Sequence, residues 1–217
     1  MGLVVTQDFG TAALTGLSAT ALLFLAGVPV GYLLGLLAVG GAGAAAFVAH
    51  SPYRLARITA MFDVWATSNP STYQPRQSLL AVMTGGYFGK GLGEGMIKRG
   101  YLPEAQTDFI FATYCEEWGL VGAVLLLGLL AVWLVLAGRA ADAGEDRFGR
   151  LLCGALGFSI GLQAVLHVAV DLVAAPPTGM GLPFISAGGT SLLLTTASAA
   201  LMISVTARGR PRGLLSA

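Results

Sequence analysis

From Phe9 to Ala49 the chain runs for 41 residues without an Asp, Glu, Lys or Arg. A helix crosses the hydrocarbon core of a bilayer in about 20 residues, so this stretch is long enough for two crossings. Gly27-Val28-Pro29 divides it, because proline has no amide donor and disfavours helix in the residue before it. The pattern predicts one span over 12–26 and another over 30–48, joined by a tight hairpin. Composition agrees: 11% of the 217 residues are charged, against about 25% in a soluble domain, and 55% are apolar. Such a chain has too little charge to cover a water-exposed surface and too much apolar side chain to be disordered. A formal net charge of +1 leaves no electrostatic footprint for nucleic acid. Cys115 and Cys153 lie in apolar surroundings without metal or redox spacing and read as packing residues.

Further apolar runs predict spans over 113–137, 151–172 and 186–206. The expectation is an all-α polytopic membrane fold of about five helices, treated as one integral membrane domain over 1–217. Small residues four apart, Gly27, Gly31 and Gly35 running from the break into the second span and Gly157 and Gly161 on another, are spacings that let membrane helices approach closely. Orientation follows from Lys and Arg next to the spans. Arg139, Arg147 and Arg150 in the loop 138–150, and Arg208, Arg210 and Arg212 in the tail 207–217, lie two spans apart and so on one side, taken as the cytoplasm. The loop 50–112 then lies outside. Its six cations, Arg54, Arg57, Arg76, Lys90, Lys98 and Arg99, conflict only mildly, because loops of roughly 60 residues translocate largely regardless of charge. Five spans with a cytoplasmic C-terminus put the N-terminus outside. Met1–Thr11 is neither basic nor long enough to direct that, so more chain is expected upstream.

The outer loop is too aromatic for disorder, and short surface helices are expected in it, especially over Gln77–Met83. Its glycine run, Gly85 to Gly93, does not meet the dinucleotide fingerprint. A turn is the favoured reading over an anion-binding cradle of backbone amides. Next come Glu104, Asp108, Glu116 and Glu117, four carboxylates at the mouth of a membrane helix. Thr107 and Asp108 stand where a helix N-cap would be, and composition leaves cap and catalyst equally open for Asp108. Glu116 and Glu117 fall inside the helix, where carboxylates cost several kcal/mol unless paired or facing water. His167 and Asp171, four apart on one helical face, read as a satisfied intramembrane pair. Ser186 and Thr190 read as packing residues at the start of the last helix.

The ordered segments resemble those of the SEDS family, the polytopic FtsW, RodA and SpoVE proteins of bacterial cell-wall synthesis. Tyr101-Leu102-Pro103-Glu104-Ala105-Gln106-Thr107-Asp108-Phe109-Ile110-Phe111-Ala112, followed by Glu116-Glu117-Trp118-Gly119, is similar to the family signature. So are Gln7 to Thr11, the Pro52-Tyr53-Arg54 segment through Trp65, the run Gly85 to Gly93, and Pro177-Thr178 through Ser191. The Pro-Thr and Pro-Tyr-Arg details favour the division-type FtsW branch over the elongation-type RodA branch. The resemblance implies the last five of ten spans, with 50–112 as the large fourth outer loop.

It also implies a peptidoglycan glycosyltransferase that polymerises lipid II at the outer face of the cytoplasmic membrane during cell division. Its partners would be a class B penicillin-binding protein, other division proteins, membrane lipids and the growing glycan strand, with no nucleic acid. Transfer from a lipid pyrophosphate needs one carboxylate for the attacking hydroxyl and positive charge for the leaving phosphates. Asp108 matches the family's essential outer-loop aspartate and is expected in the first role. Lys98, which aligns with a family lysine, Arg54 and Arg57 are candidates for the second; for the two arginines, contact with lipid headgroups is an equally open reading. Glu104 would shape the loop or hold a divalent ion, magnesium or manganese, although no spacing specifies a metal. Gln106 stands where the family has histidine, Ala187 where it has tyrosine, and Glu94-Gly95 where it has Asn-Ser. Because only half of the family fold is matched, a non-catalytic scaffold or lipid-handling role in the division machinery is the alternative.

Overall fold

The computed structural model describes residues 9–66, 70–95 and 106–208. Every regular element among them is helical: α1 Phe9–Leu25, α2 Val30–Ala49, α3 Pro52–Phe62, a 3-10 turn Pro70–Thr72, α4 Tyr73–Gly85, α5 Ile110–Asp142, α6 Arg147–Asp171 and α7 Gly189–Arg208. Four are long and apolar enough to cross a membrane, and α1 is a shorter apolar helix. The protein is a multi-pass membrane protein. Apolar side chains such as Val39 and Leu193 are over 70% exposed, as suits helices that a membrane rather than water surrounds.

The break at Gly27-Val28-Pro29 falls between α1 and α2 as the proline chemistry requires. α1 lies along α6, tied by Ser159 Oγ donating to Ser18 Oγ at 2.7 Å and by Arg147 donating to the Ala26 carbonyl at 2.7 Å. The two glycine series have different fates. Cβ atoms added at Gly157 and Gly161 would strike Ala137 and Leu134 of α5, so these glycines set the close α5–α6 approach. Nothing lies within 4 Å of the same atoms at Gly27, Gly31 or Gly35. Below the α5–α6 crossing, Ala137, Cys153 and Met202 join α5, α6 and α7 in one cluster, and both cysteines are buried and free.

The sequence-derived third span begins inside a feature that helical periodicity does not show. α5 breaks at Gly119 (φ 64, ψ −160) into residues 110–118 and 120–142. The first piece is a separate short helix packed on α4; the second is long enough to cross the bilayer by itself. The predicted surface helix over Gln77–Met83 is the middle of α4.

Candidate functional site

The glycine run threads the break in α5. In an unbroken helix the amides of Leu120 and Val121 would bond the carbonyls of Glu116 and Glu117. Instead they donate to Gly86 and Tyr87, at 2.9 and 3.1 Å, while Lys90 and Gly91 amides donate to the Glu116 and Glu117 carbonyls at 3.0 and 3.1 Å. Each broken rung of the ladder is thereby completed from the loop, which a membrane helix needs because lipid offers no substitute partner. Only glycine fits at the crossing. A Cβ at Gly89 would overlap the Glu117 carbonyl, one at Gly119 would overlap Gly89 and Phe88, and both residues have positive φ. The Lys90 and Gly91 amides are thus committed to protein carbonyls, which favours the turn over the anion cradle. Glu116, 2% exposed, accepts from Lys90 Nζ at 2.7 Å, so its carboxylate is paired as burial demands.

The opposite end of residues 110–118 opens onto a cavity of about 680 Å³. Asp108 lines it together with Arg54 and Arg57 of α3, Gln74 of α4, Tyr53, Ser51, and the connection Pro176–Met180. Arg54 stacks on Phe47 with its Cζ 3.8 Å from the ring centroid, and Arg57 sits 4.8 Å above Tyr53. This packing holds each guanidinium against an aromatic ring. Arg57 also reaches the Pro177 carbonyl at 3.5 Å. Two cations, one carboxylate, hydroxyls from Ser51 and Thr178 and the Gln74 amide therefore surround one volume, a lining suited to a sugar carrying phosphate.

Asp108 is not the helix cap that its local sequence suggests. The N-cap position is Phe109, which supplies no side-chain bond, and the Ala112 amide instead donates to Asp171 Oδ2 of α6 at 2.8 Å. The cap on Ala112 thus comes from another helix. The Asp108 carboxylate points toward the connection, where a Cβ added at Gly179 would lie 3.8 Å from Oδ2. Ser186 is more than packing. Its Oγ donates to the Thr107 carbonyl at 2.7 Å and accepts from the Leu182 amide at 2.6 Å, while the Ala187 amide donates to the Gln106 carbonyl at 3.1 Å. The residue before Asp108 is thus pinned to the connection between α6 and α7. Gln106 and Ala187, two of the departures from the family pattern, meet at this seam.

Of the residues expected from sequence, Asp108, Arg54 and Arg57 come together; Lys98 and Glu104 lie outside the described residues. Sequence reasoning missed Gln74, Ser51 and Thr178 as cavity lining, although Thr178 belongs to the Pro-Thr segment already singled out. It also missed Asp171 as a cap, which no local signal marks because the donor is 59 positions away. Among the described residues no three His, Cys, Asp or Glu side chains converge as metal ligands, and Glu104, the residue expected to hold a divalent ion, lies outside them.

The family described as "Cell cycle protein", comprising FtsW, RodA and SpoVE, matches residues 1–210. A "Probable peptidoglycan glycosyltransferase FtsW" of Nitrosococcus halophilus is 40% identical over 206 residues, covering 94% of this chain and 53% of that protein. Relatives with the same description in a Geobacter species and in Alkalilimnicola ehrlichii are 41% and 42% identical, covering 57% and 51% of their own lengths. This chain spans about half the length of the curated relatives it matches. A solved structure described as "Structural coordination of polymerization and crosslinking by a peptidoglycan synthase complex" superposes with a TM-score of 0.76 at 27% identity, covering 96% of this chain and 58% of that one.

Proposed function

Because the chain belongs to the FtsW/RodA/SpoVE family of cell cycle proteins, we propose that it forms the transfer site of a peptidoglycan glycosyltransferase acting in cell division. The observation that carries this reading is the single cavity shared by Asp108, Arg54 and Arg57. In the reaction, the 4-hydroxyl of an acceptor GlcNAc attacks C1 of a donor MurNAc from the face opposite the leaving group. The C1–O4 bond forms as the bond from C1 to the pyrophosphate oxygen breaks, inverting the anomeric carbon. Asp108 accepts the hydroxyl proton, and the pyrophosphate departs on its lipid as an anion.

The chemistry divides between these side chains. A positioned base contributes roughly 10²–10⁴-fold. The pyrophosphate is a weak base and needs no proton to leave when cations meet its developing charge, so a second carboxylate acid is dispensable. Arg54 and Arg57 meet that charge, each with its ring stack setting its direction. The Ser51 and Thr178 hydroxyls and the Gln74 amide suit sugar hydroxyls.

The reading places the cavity at the outer face of the bacterial cytoplasmic membrane, with the C-terminus in the cytoplasm and a class B penicillin-binding protein crosslinking the strands. Lipid II is the substrate. The test is glycan-strand synthesis from lipid II by the purified protein with its penicillin-binding partner. Polymer present in the parent and lost in Asp108→Ala supports the proposal. Polymer at the parental level in Asp108→Ala overturns it and favours a scaffold role without turnover.

A further inference from the structure

Directly behind the cavity wall, His167 and Asp171 of α6 are both wholly buried. His167 Nδ1 lies 2.7 Å from the Met180 carbonyl, which can only accept, so Nδ1 carries a proton. The other ring nitrogen, Nε2, is 3.5 Å from Asp171 Oδ2. Among the described residues, Nε2 and Asp171 Oδ1 have no further hydrogen-bond partner. A neutral ring with Nδ1 protonated would aim the Nε2 lone pair at an ionised carboxylate, two acceptors facing each other 3.5 Å apart. One additional proton, on Nε2 or on the carboxyl group, makes the contact attractive. The pair is then neutral overall, which is the form burial away from water favours.

Four segments meet at this pair. α6 carries it. The start of α5 is held through the Ala112 amide on Asp171 Oδ2. The connection to α7 is held through Met180, itself a cavity-lining residue. α4 is held through Ser78 Oγ, which donates to the Asp171 carbonyl at 2.7 Å. Asp108 lies four residues before Ala112, and Gly179 next to Met180 faces its carboxylate. The pair touches both walls between which Asp108 sits, while its own side chains do not line the cavity.

We propose that His167 and Asp171 share one proton and serve as positioning residues for Asp108, locking the start of α5 to the connection from which the cavity wall is built. The inference rests on Asp108 being the transfer residue. Asn at position 171 keeps the shape of the acid and an oxygen that accepts from Ala112, and it removes the carboxyl proton, since Ala112 and His167 both face Oδ2. Asp171→Asn is therefore the conservative rescue, and Asp171→Ala the disruption.

The experiment has two arms on the full chain. The first is kinetic, using lipid II polymerisation. Asp171→Ala lowers kcat by about 100-fold with KM little changed, as expected for a displaced catalytic group. Asp171→Asn stays within about threefold of the parent, as expected when the side-chain shape and the acceptor for the Ala112 amide are kept. Parental kcat in Asp171→Ala, or an Asp171→Asn variant as impaired as Asp171→Ala, overturns the positioning role. The second arm needs no activity. The chain has two histidines, so His50→Gln leaves His167 as the single ¹⁵N-histidine signal in bilayer NMR. A protonated Nδ1, with an Nε2 signal that moves on Asp171→Asn, supports the shared proton. A ring protonated at Nε2 alone, or a spectrum indifferent to Asp171→Asn, overturns it. If Asp108→Ala polymerises normally while the NMR result holds, the functional reading fails and the shared proton stands.

Discussion

The two ends of the short helix 110–118 both carry acidic residues, yet they are built for opposite purposes. At its far end, Glu116 is paired with Lys90 and the backbone is closed by the glycine loop, leaving the Glu116 carboxylate no open volume. At its start, the cap is supplied from α6 by Asp171, and Asp108 remains on a cavity shared with two arginines. Acidic residues close together in sequence therefore cannot be sorted by proximity to a membrane helix. What separates Glu116 from Asp108 is what surrounds each carboxylate, a lysine and closed backbone for the first and a cavity shared with two arginines for the second.

The largest expected effect tests the closed end. Gly89→Val places a β-branched side chain at φ +78 and into the Glu117 carbonyl. It is expected to remove folded protein, at several kcal/mol, because strain and overlap add. Monodisperse protein of parental melting temperature would contradict the threaded ladder. Next, Asp108→Ala is expected to lose about 10²–10⁴-fold in polymerisation while its melting temperature stays near the parent's, since Asp171 still caps the Ala112 amide. A loss of stability comparable to Gly89→Val would show that Asp108 belongs to the scaffold after all. Arg57→Ala should lower turnover by roughly 10–100-fold, and Arg57→Lys should restore only part of it, because a point charge does not reproduce a stacked planar fork. Smallest is Glu116→Gln. The amide oxygen still accepts from Lys90, so stability should fall by about 1–2 kcal/mol with polymerisation near parental, measured by thermal unfolding beside the strand assay.

The spans were legible because lipid imposes a crude rule, a long run without charge, and the proline break between α1 and α2 is chemically explicit. Two glycine stripes with the same spacing were not distinguishable. Gly157 and Gly161 meet α5, while Gly31 and Gly35 meet nothing within 4 Å, and spacing carries no information about the facing surface. The break at Gly119 was hidden because apolar periodicity continues through it and the compensating bonds come from a loop about thirty residues earlier. At the site, the arginines and Asp108 were identifiable by residue type and family resemblance. The cap was not: local rules pointed to Thr107 and Asp108, and a distant carboxylate took the role. Gln74 was invisible for the same reason, since only the fold brings α4 beside α3.

The central claim is that Asp108 acts on the reacting hydroxyl and not on assembly or substrate capture. Donor binding and strand formation measured together on Asp108→Asn test it most directly, because the substitution preserves shape and removes the base. Lipid II binding within about threefold of the parent, with strand formation reduced at least about 100-fold, is the predicted result. Strand formation at the parental rate with donor bound would contradict the account.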